Sequence, residues 1–163
     1  ARRPAEDVIG GDVDQPRPEG GGDPGQVAGA GAVDRQRLLL VLLRAVDVPV
    51  LLLHCYPFHR NAGYLAQAFE HVFFDIGLAI NHLGARSVEL VGEAMELAPF
   101  GKQLYSSDAY GLPELHYLGA QLWRHAMGQV LGEWVRRGDW SEEDAIRVVR
   151  MIGSENARRV YRL

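Results

Sequence analysis

Short apolar runs alternate with longer amphipathic segments from Leu38 onward. Three of these runs have the length and flanking residues of buried strands: VPVLLLHC at 48–55, HVFFDIG at 71–77 and KQLYSS at 102–107. The segments between them keep apolar residues at helical spacing and end near glycine or proline. Strands that alternate with helices predict βα units, whose right-handed crossovers produce a parallel sheet.

Helices are predicted before, between and after these strands. Those in the first two thirds of the chain cover 37–46, 61–70 and 82–101. A long helix is expected from Pro113 to Gly138, since proline suits a first turn and glycine follows many helix ends. Ser141 with Asp144 is a variant of the capping box that starts the next helix, and Ser154 is expected to cap a last short one.

Residues 1–37 have a different character. They contain eight glycines and four prolines but no leucine, aromatic residue, serine or asparagine. A segment with so little to bury is expected to be disordered, either as a flexible linker or because it is not the native sequence of this region. The predicted division is therefore a low-complexity segment at 1–37 and a domain at 38–163. Because the chain begins with Ala1, we expect it to be processed or part of a longer protein.

Length, charge and cysteine content restrict the class of protein. A chain of 163 residues suits one ordinary domain. A formal net charge of −4 gives no basic surface for phosphates, so nucleic acid is not expected as a partner and small molecules or proteins remain. The single cysteine, Cys55, indicates a reducing, cytoplasmic location. The apolar run 38–43 is too short for a membrane span, so no membrane association is expected.

Polar side chains follow the predicted strands. His54 ends the first apolar run and Asp108 the third, while Asp75 lies inside the second, with Asn81 and His82 just beyond its end. The carboxyl ends of parallel strands lie on one side, so these groups should converge, as metal or acid–base chemistry requires. Taken singly, His54 could be a hydrogen-bonded structural residue, Asp108 a helix cap, and Asp75 a partner for buried backbone or an arginine.

Three stretches resemble the metal-dependent amidohydrolase superfamily, and in particular the amidohydrolase-related domain of FluG-like and nodulin/glutamine synthetase-like fusion proteins. These stretches are 49–87, FGKQLYSSDAYGLPE at 100–114 and IGSENARRVY at 152–161. The resemblance covers roughly residues 46–163. It implies an α/β fold, a (β/α)8 TIM barrel of which this chain holds strands six, seven and eight. Three strands taken alone are equally compatible with a small open sheet.

The resemblance also implies roles for individual residues. His54 matches the strand-six histidine, a metal ligand or catalytic group, and Asp108 the strand-eight aspartate that binds metal and handles the proton of the attacking water. Arg60, His82 and Tyr110, on adjoining loops, are candidates for binding the substrate. The intact parent would use zinc or manganese to hydrolyse a C–N, amide-like bond. A glutamine synthetase-like domain or self-association is the implied protein partner.

One departure from the family pattern is large. The strand-one His-x-His pair and the strand-five histidine are absent, and no histidine precedes His54. Catalytic zinc usually has three protein ligands, so this chain alone is expected to be inactive. The alternative is a non-catalytic barrel remnant or an interaction module.

A partial barrel would also leave strand edges unpaired and interior residues exposed. Val50, Leu52, Phe73 and Leu104 are expected to face the missing interior and so to meet water. The isolated chain is therefore expected to aggregate, to associate with itself or to bind a complementary fragment.

Overall fold

A computed structural model of the protein describes residues 29–163, with side chains from Arg37 onward. The chain divides into two units, Ala1–Leu42 and Leu43–Leu163, and the second unit contains the sheet. Within residues 29–163, no helix is long and apolar enough to span a membrane.

Helix α1 (Gly29–Ala45) contains most of the helix predicted at 37–46, and it starts eight residues earlier than the pattern indicates. It therefore includes the end of the Gly/Pro-rich segment. The rest of that segment, residues 1–28, lies outside the described residues, so its expected disorder stays a prediction.

The second unit follows the predicted alternation of strands and helices. The strands are β1 (Val50–Leu52), β2 (Val72–Asp75) and β3 (Gln103–Leu104). The helices are α2 (His59–Ala68), α3 (Ala79–Leu83), α4 (Ser87–Ala94), α5 (Pro113–Arg137), α6 (Glu142–Arg150) and α7 (Asn156–Tyr161). Two 3₁₀ turns, Gly84–Arg86 and Phe100–Lys102, and a π-helical turn at Met151–Glu155 complete it.

The three strands form one parallel sheet in the order β1-β2-β3. The α/β class and the parallel sheet predicted from the apolar runs are thereby confirmed. Each connection contains helices, as parallel neighbours require. The carboxyl ends of all three strands consequently lie along one edge of the sheet.

The two faces of the sheet differ in burial. Val72 and Phe74 are fully buried against the helices, and Val50 and Leu52, which pair with them, share that face. The expectation that Val50 and Leu52 face a barrel interior is therefore wrong. Side chains alternate between faces along a strand, and it is Leu51 that lies on the opposite face.

Leu51 and Phe73 are paired on that second face and are only partly buried. Leu104 lies on the same face, because it pairs with Asp75 two residues after Phe73. The expectation that Leu104 meets water is nevertheless wrong, since it is only 4% exposed. On this face, Leu51 of β1 and Phe73 of β2 are thus partly exposed, whereas Asp75 and Leu104 are buried.

Both ends of α5 and the start of α6 follow their sequence signals, but two other predictions fail. The helix predicted at 82–101 is divided into the end of α3, a 3₁₀ turn and α4, which ends at Ala94 before Pro99 and Gly101 are reached. Pro113 lies in the first turn of α5, Gly138 ends that helix with a φ of 80°, and the Ser141 hydroxyl accepts the Asp144 N–H at 3.0 Å. The expected Ser154 cap is wrong. Helical backbone runs from α6 through the π-helical turn into α7, so there is no free helix start for Ser154 to cap.

The C-terminal segment fastens onto β3. Asn156 is 1% exposed and donates to the carbonyls of Phe100 and Gln103 at 2.7 and 2.8 Å. The carbonyl of Ile152, in the π-helical turn, accepts the Tyr105 N–H at 2.9 Å. These bonds place the ending IGSENARRVY against the third strand.

Candidate functional site

The carboxyl edge of the sheet brings together three titratable side chains, one from each strand. His54 follows β1, Asp75 ends β2 and Asp108 follows β3. The Nδ1 atom of His54 lies 2.9 Å from Oδ2 of Asp108. The two side chains are 47% and 39% exposed, so the pair is open to a ligand.

Backbone conformation turns both residues out of their strands. His54 has a φ of 55° and Asp108 a φ of 48°, in the left-handed region that few non-glycine residues occupy. The N–H of Asp108 donates to Oγ of Ser106 at 3.1 Å, which fixes the turn that presents the carboxylate.

Asp75 has a structural role at the carboxyl edge of the sheet. It is 6% exposed, and its Oδ1 accepts the N–H groups of Gly77 at 3.0 Å and His54 at 3.3 Å. Burial raises the pKa of Asp75 above its usual value, against the opposing effect of these two bonds. The interpretation of Asp75 as a partner for buried backbone is confirmed, and the residue ties the end of β1 to the end of β2.

Cys55, beside this edge, is a poor nucleophile. Burial, with a further effect from the Asp75 carboxylate, raises the pKa of its thiol to about 12. Its Sγ donates to the Leu52 carbonyl at 3.2 Å. A protonated thiol neither attacks nor binds a metal effectively, so the chemistry of this edge lies with His54 and Asp108.

The three candidate substrate residues lie in different surroundings. Arg60 is bound by Glu96, at 2.9 and 3.0 Å, and by Glu93 at 3.3 Å. His82 is exposed in the last turn of α3, and Tyr110 is 93% exposed in the loop after Asp108. Among the described side chains, none of the three forms a hydrogen bond or ion pair with His54 or Asp108.

Two supporting contacts were not found by reasoning from sequence. His59 is 4% exposed, and its Nε2 lies 2.7 Å from Oε2 of Glu93, which anchors the start of α2 just after the His54 loop. Asn81 donates through Nδ2 to the carbonyl of Ser107, next to Asp108, at 3.2 Å. The partners are 34 and 26 residues apart in the chain, so no local pattern reveals them.

The site fits a hydrolytic metal in donor type but not in donor number. Imidazole nitrogen and carboxylate oxygen are donors that zinc accepts, and His54 and Asp108 present one of each within contact distance. Within residues 29–163, however, no group of three His, Cys, Asp or Glu side chains could hold a metal ion. The described residues therefore provide at most two positions of a coordination shell.

Two known proteins are similar to this chain. No family model matches the chain. Protein FluG of Emericella nidulans is 32% identical over 119 residues, which are 72% of this chain and 14% of that protein. The crystal structure of a candidate metal-dependent hydrolase from Lactobacillus casei matches with a TM-score of 0.70 at 31% identity, over 77% of this chain and 34% of the other.

The chain thus has a hydrolase-like α/β fold and is similar in sequence to part of FluG. It spans about a third of the length of the solved hydrolase and a smaller share of FluG. Its similarity concerns one portion of those proteins, and dependence on a metal is part of the description of the solved hydrolase alone.

Proposed function

We propose that this chain is the C-terminal portion of a metal-dependent hydrolase of the amidohydrolase type, supplying strands six to eight of a (β/α)8 barrel. The observation that carries the proposal is the contact between His54 and Asp108 at the carboxyl ends of parallel strands, where enzymes of this architecture keep their working groups. Similarity to a candidate metal-dependent hydrolase supports it. The substrate class is a small molecule with an amide-like C–N bond.

The pair can move a proton without further residues. A neutral His54 that donates from Nδ1 to Asp108 keeps the lone pair of Nε2 free to accept a proton. The Asp108 carboxylate orients the ring and stabilises the imidazolium that forms, as the acid does in an Asp-His pair of a hydrolase. Without a metal, His54 is thus the general base of the proposal and Asp108 its orienting group.

In the intact protein the Nε2 lone pair of His54 and the Asp108 carboxylate would hold zinc or manganese, with the remaining ligands coming from outside the described residues. His54 would then be a ligand and not the base, and Asp108 would take the proton of the attacking water. Such a cation would lower the pKa of a bound water molecule and polarise the carbonyl group of the substrate. Tyr110 and His82 remain candidates for contacting the substrate, since both are exposed near the carboxyl edge. Arg60 is a weaker candidate because two glutamates already bind its guanidinium group.

A second candidate function is a non-catalytic remnant or interaction module, with self-association or a glutamine synthetase-like domain as the partner. The observation that favours it is that, within residues 29–163, no three His, Cys, Asp or Glu side chains are placed so that they could hold a metal ion.

Zinc binding by the whole 163-residue chain tests the proposal. Calorimetric titration is expected to show one weak, saturable site, because two protein donors hold a cation less tightly than three or four. His54→Ala and Asp108→Ala should each weaken binding by at least about tenfold, because even the loss of an outer-shell partner of a metal ligand costs about 10–100-fold. His125→Ala removes an exposed histidine of α5 and serves as the matched control. Equal zinc affinity in all four proteins would contradict the metal-binding role and favour the non-catalytic alternative.

A further inference from the structure

The carbonyl group of Ser107, directly before Asp108, is held from two directions. The N–H of Leu78 donates to it at 3.3 Å and Nδ2 of Asn81 at 3.2 Å. The same Nδ2 lies 3.5 Å from the carbonyl of Leu115 in α5. Asn81 therefore connects three segments: helix α3, the loop that carries Asp108, and the first turn of α5.

Helix α5 presses on the same loop at Gly119, which is buried. A Cβ atom at this position would lie 2.8 Å from Cβ of Ser107 and 3.2 Å from Oδ1 of Asn81. The first of these separations is shorter than carbon atoms tolerate, so any side chain larger than hydrogen would push Ser107 away. Gly119 has ordinary helical geometry, so the close approach, not a special backbone angle, is what requires glycine there.

Asp108 depends on this arrangement for its position. Its own N–H and that of Ala109 are bound by the hydroxyls of Ser106 and Ser107, at 3.1 and 3.3 Å. Among the described side chains, the carboxylate of Asp108 has His54 as its ion-pair partner. The Asp108 side chain is 39% exposed and has this one ion-pair partner. Its position is therefore set mainly by the conformation of its own backbone.

We propose that Asn81 and Gly119 are positioning residues that hold Asp108 against Nδ1 of His54. Asn81 holds the Ser107 peptide by its carbonyl, and Gly119 leaves the space that the Ser107 side chain occupies. The importance of this pair for catalysis rests on the proposed function, but the contact itself can be measured without metal or substrate.

The experiment reads the tautomer of His54 by ¹⁵N NMR of the full chain, at a pH where the ring is neutral. An acceptor at Nδ1 favours the form protonated there, so the wild type is expected to carry its proton mainly on Nδ1. Asp108→Ala, which removes the acceptor, should move most of the proton to Nε2. His54→Gln assigns the signals.

Gly119→Ala is expected to shift the tautomer toward that of Asp108→Ala, because the added methyl group displaces Ser107. Gly128→Ala is the matched control in the same helix, since a Cβ there meets nothing within 4 Å; it should leave the tautomer at the wild-type ratio. Asn81→Ala removes the amide group and adds no bulk, and it should shift the tautomer ratio in the same direction. If Gly119→Ala does not fold, the tautomer ratio of Asn81→Ala tests the proposal by itself.

An unchanged tautomer in folded Asn81→Ala and Gly119→Ala would overturn the proposal, as would a wild type with the same ratio as Asp108→Ala. Failure of the zinc titration would leave these results untouched, so the positioning role and the metal-dependent function fail separately.

Discussion

The first and third strands begin from the same kind of sequence, an apolar run followed by a titratable residue, but their surroundings differ. Both residues of β3 are buried, whereas all three residues of β1 are only partly buried. Asn156 and Ile152 also bind backbone groups of the segment Gln103–Tyr105. In the described part of the chain, β1 and β3 are the two edge strands of the sheet, and these backbone bonds from the C-terminal segment are made to β3 and its continuation, not to β1.

The difference shows that the C-terminal side of the sheet is completed by the chain's own helices, while the β1 side is not completed by the described residues. The N–H of Val50 donates to the carbonyl of His71, on the β2 side. Because successive residues of a parallel strand direct their backbone groups to opposite sides, the N–H and C=O of Leu51 point away from β2. An exposed edge of this kind is a place where further polypeptide adds.

The largest expected effect comes from comparing two leucines on the same face of the sheet. Leu104→Ala in β3 should lower the free energy of unfolding by about 2–5 kcal/mol, because a fully buried side chain leaves a cavity. Leu51→Ala in β1 should cost about 1 kcal/mol, since its side chain is partly exposed already. Urea denaturation measures both. Equal losses would remove the contrast between the two strands.

The bonds that fasten the C-terminal segment to β3 give the next effect. Asn156→Ala removes two buried hydrogen bonds and leaves the carbonyls of Phe100 and Gln103 without that donor, at an expected cost of about 2–4 kcal/mol. Ser154→Ala, two residues earlier and exposed, should change stability little, because Ser154 caps no helix. A large loss at Ser154 and a small one at Asn156 would restore the sequence-based interpretation of this ending.

The open side of β1 predicts self-association. Leu53 is 52% exposed just after this strand, and Leu53→Lys should weaken dimer or oligomer formation several-fold by placing a charge at the edge. Leu118→Lys, on α5 and 42% exposed, is the control for an added surface charge. Light scattering over a concentration series measures the change. A wild type that stays monomeric throughout would show that the β1 edge is closed in solution.

The smallest effect concerns the exposed ion pair between Arg60 in α2 and Glu96 in the turn that follows α4. The hydrogen bond from Arg60 lowers the pKa of Glu96 in the folded chain. Its contribution is therefore fully present above the ordinary glutamate pKa and is lost as the pH falls through the lowered value. Stability curves from pH 6 to pH 3 should show a slightly smaller decline for Glu96→Gln than for the wild type. Matching curves would mean that solvent screens the pair completely.

The parallel sheet could be predicted because the signals for strands and helices are local. Apolar runs, Pro113, Gly138 and the Ser141 cap all act within a few residues, and the structure agrees with them. The face on which Val50 lies could not be assigned from the run VLLL, which is apolar at every position and carries no alternation. The Ser154 cap failed for a related reason, because a serine between helices has the same local appearance whether or not the backbone stays helical.

The same distinction applies to the candidate site: residues with a local signal could be predicted, and contacts between distant residues could not. His54 and Asp108 could be named from their places at strand ends, although their metal-binding and catalytic roles remain predictions. Asn81 could also be expected at this edge from its place after the second strand, but its contact with Ser107 could not, and neither could that of Gly119. Both contacts join residues distant in sequence, and an asparagine or glycine inside a helix has no local signature of such a contact.

Positive φ angles recur where the chain leaves each of the three strands: at His54 after β1, at Leu78 after β2 and at Asp108 after β3. A non-glycine residue in this conformation stores roughly 1–3 kcal/mol of strain, which the rest of the fold must offset. Backbone strain at the carboxyl edge thus lowers the stability of the folded chain. Leu78 carries no reactive group, so Leu78→Gly would release some of that strain and leave His54 and Asp108 unchanged. Stabilising substitutions are therefore expected at Leu78 before they are expected at His54 or Asp108.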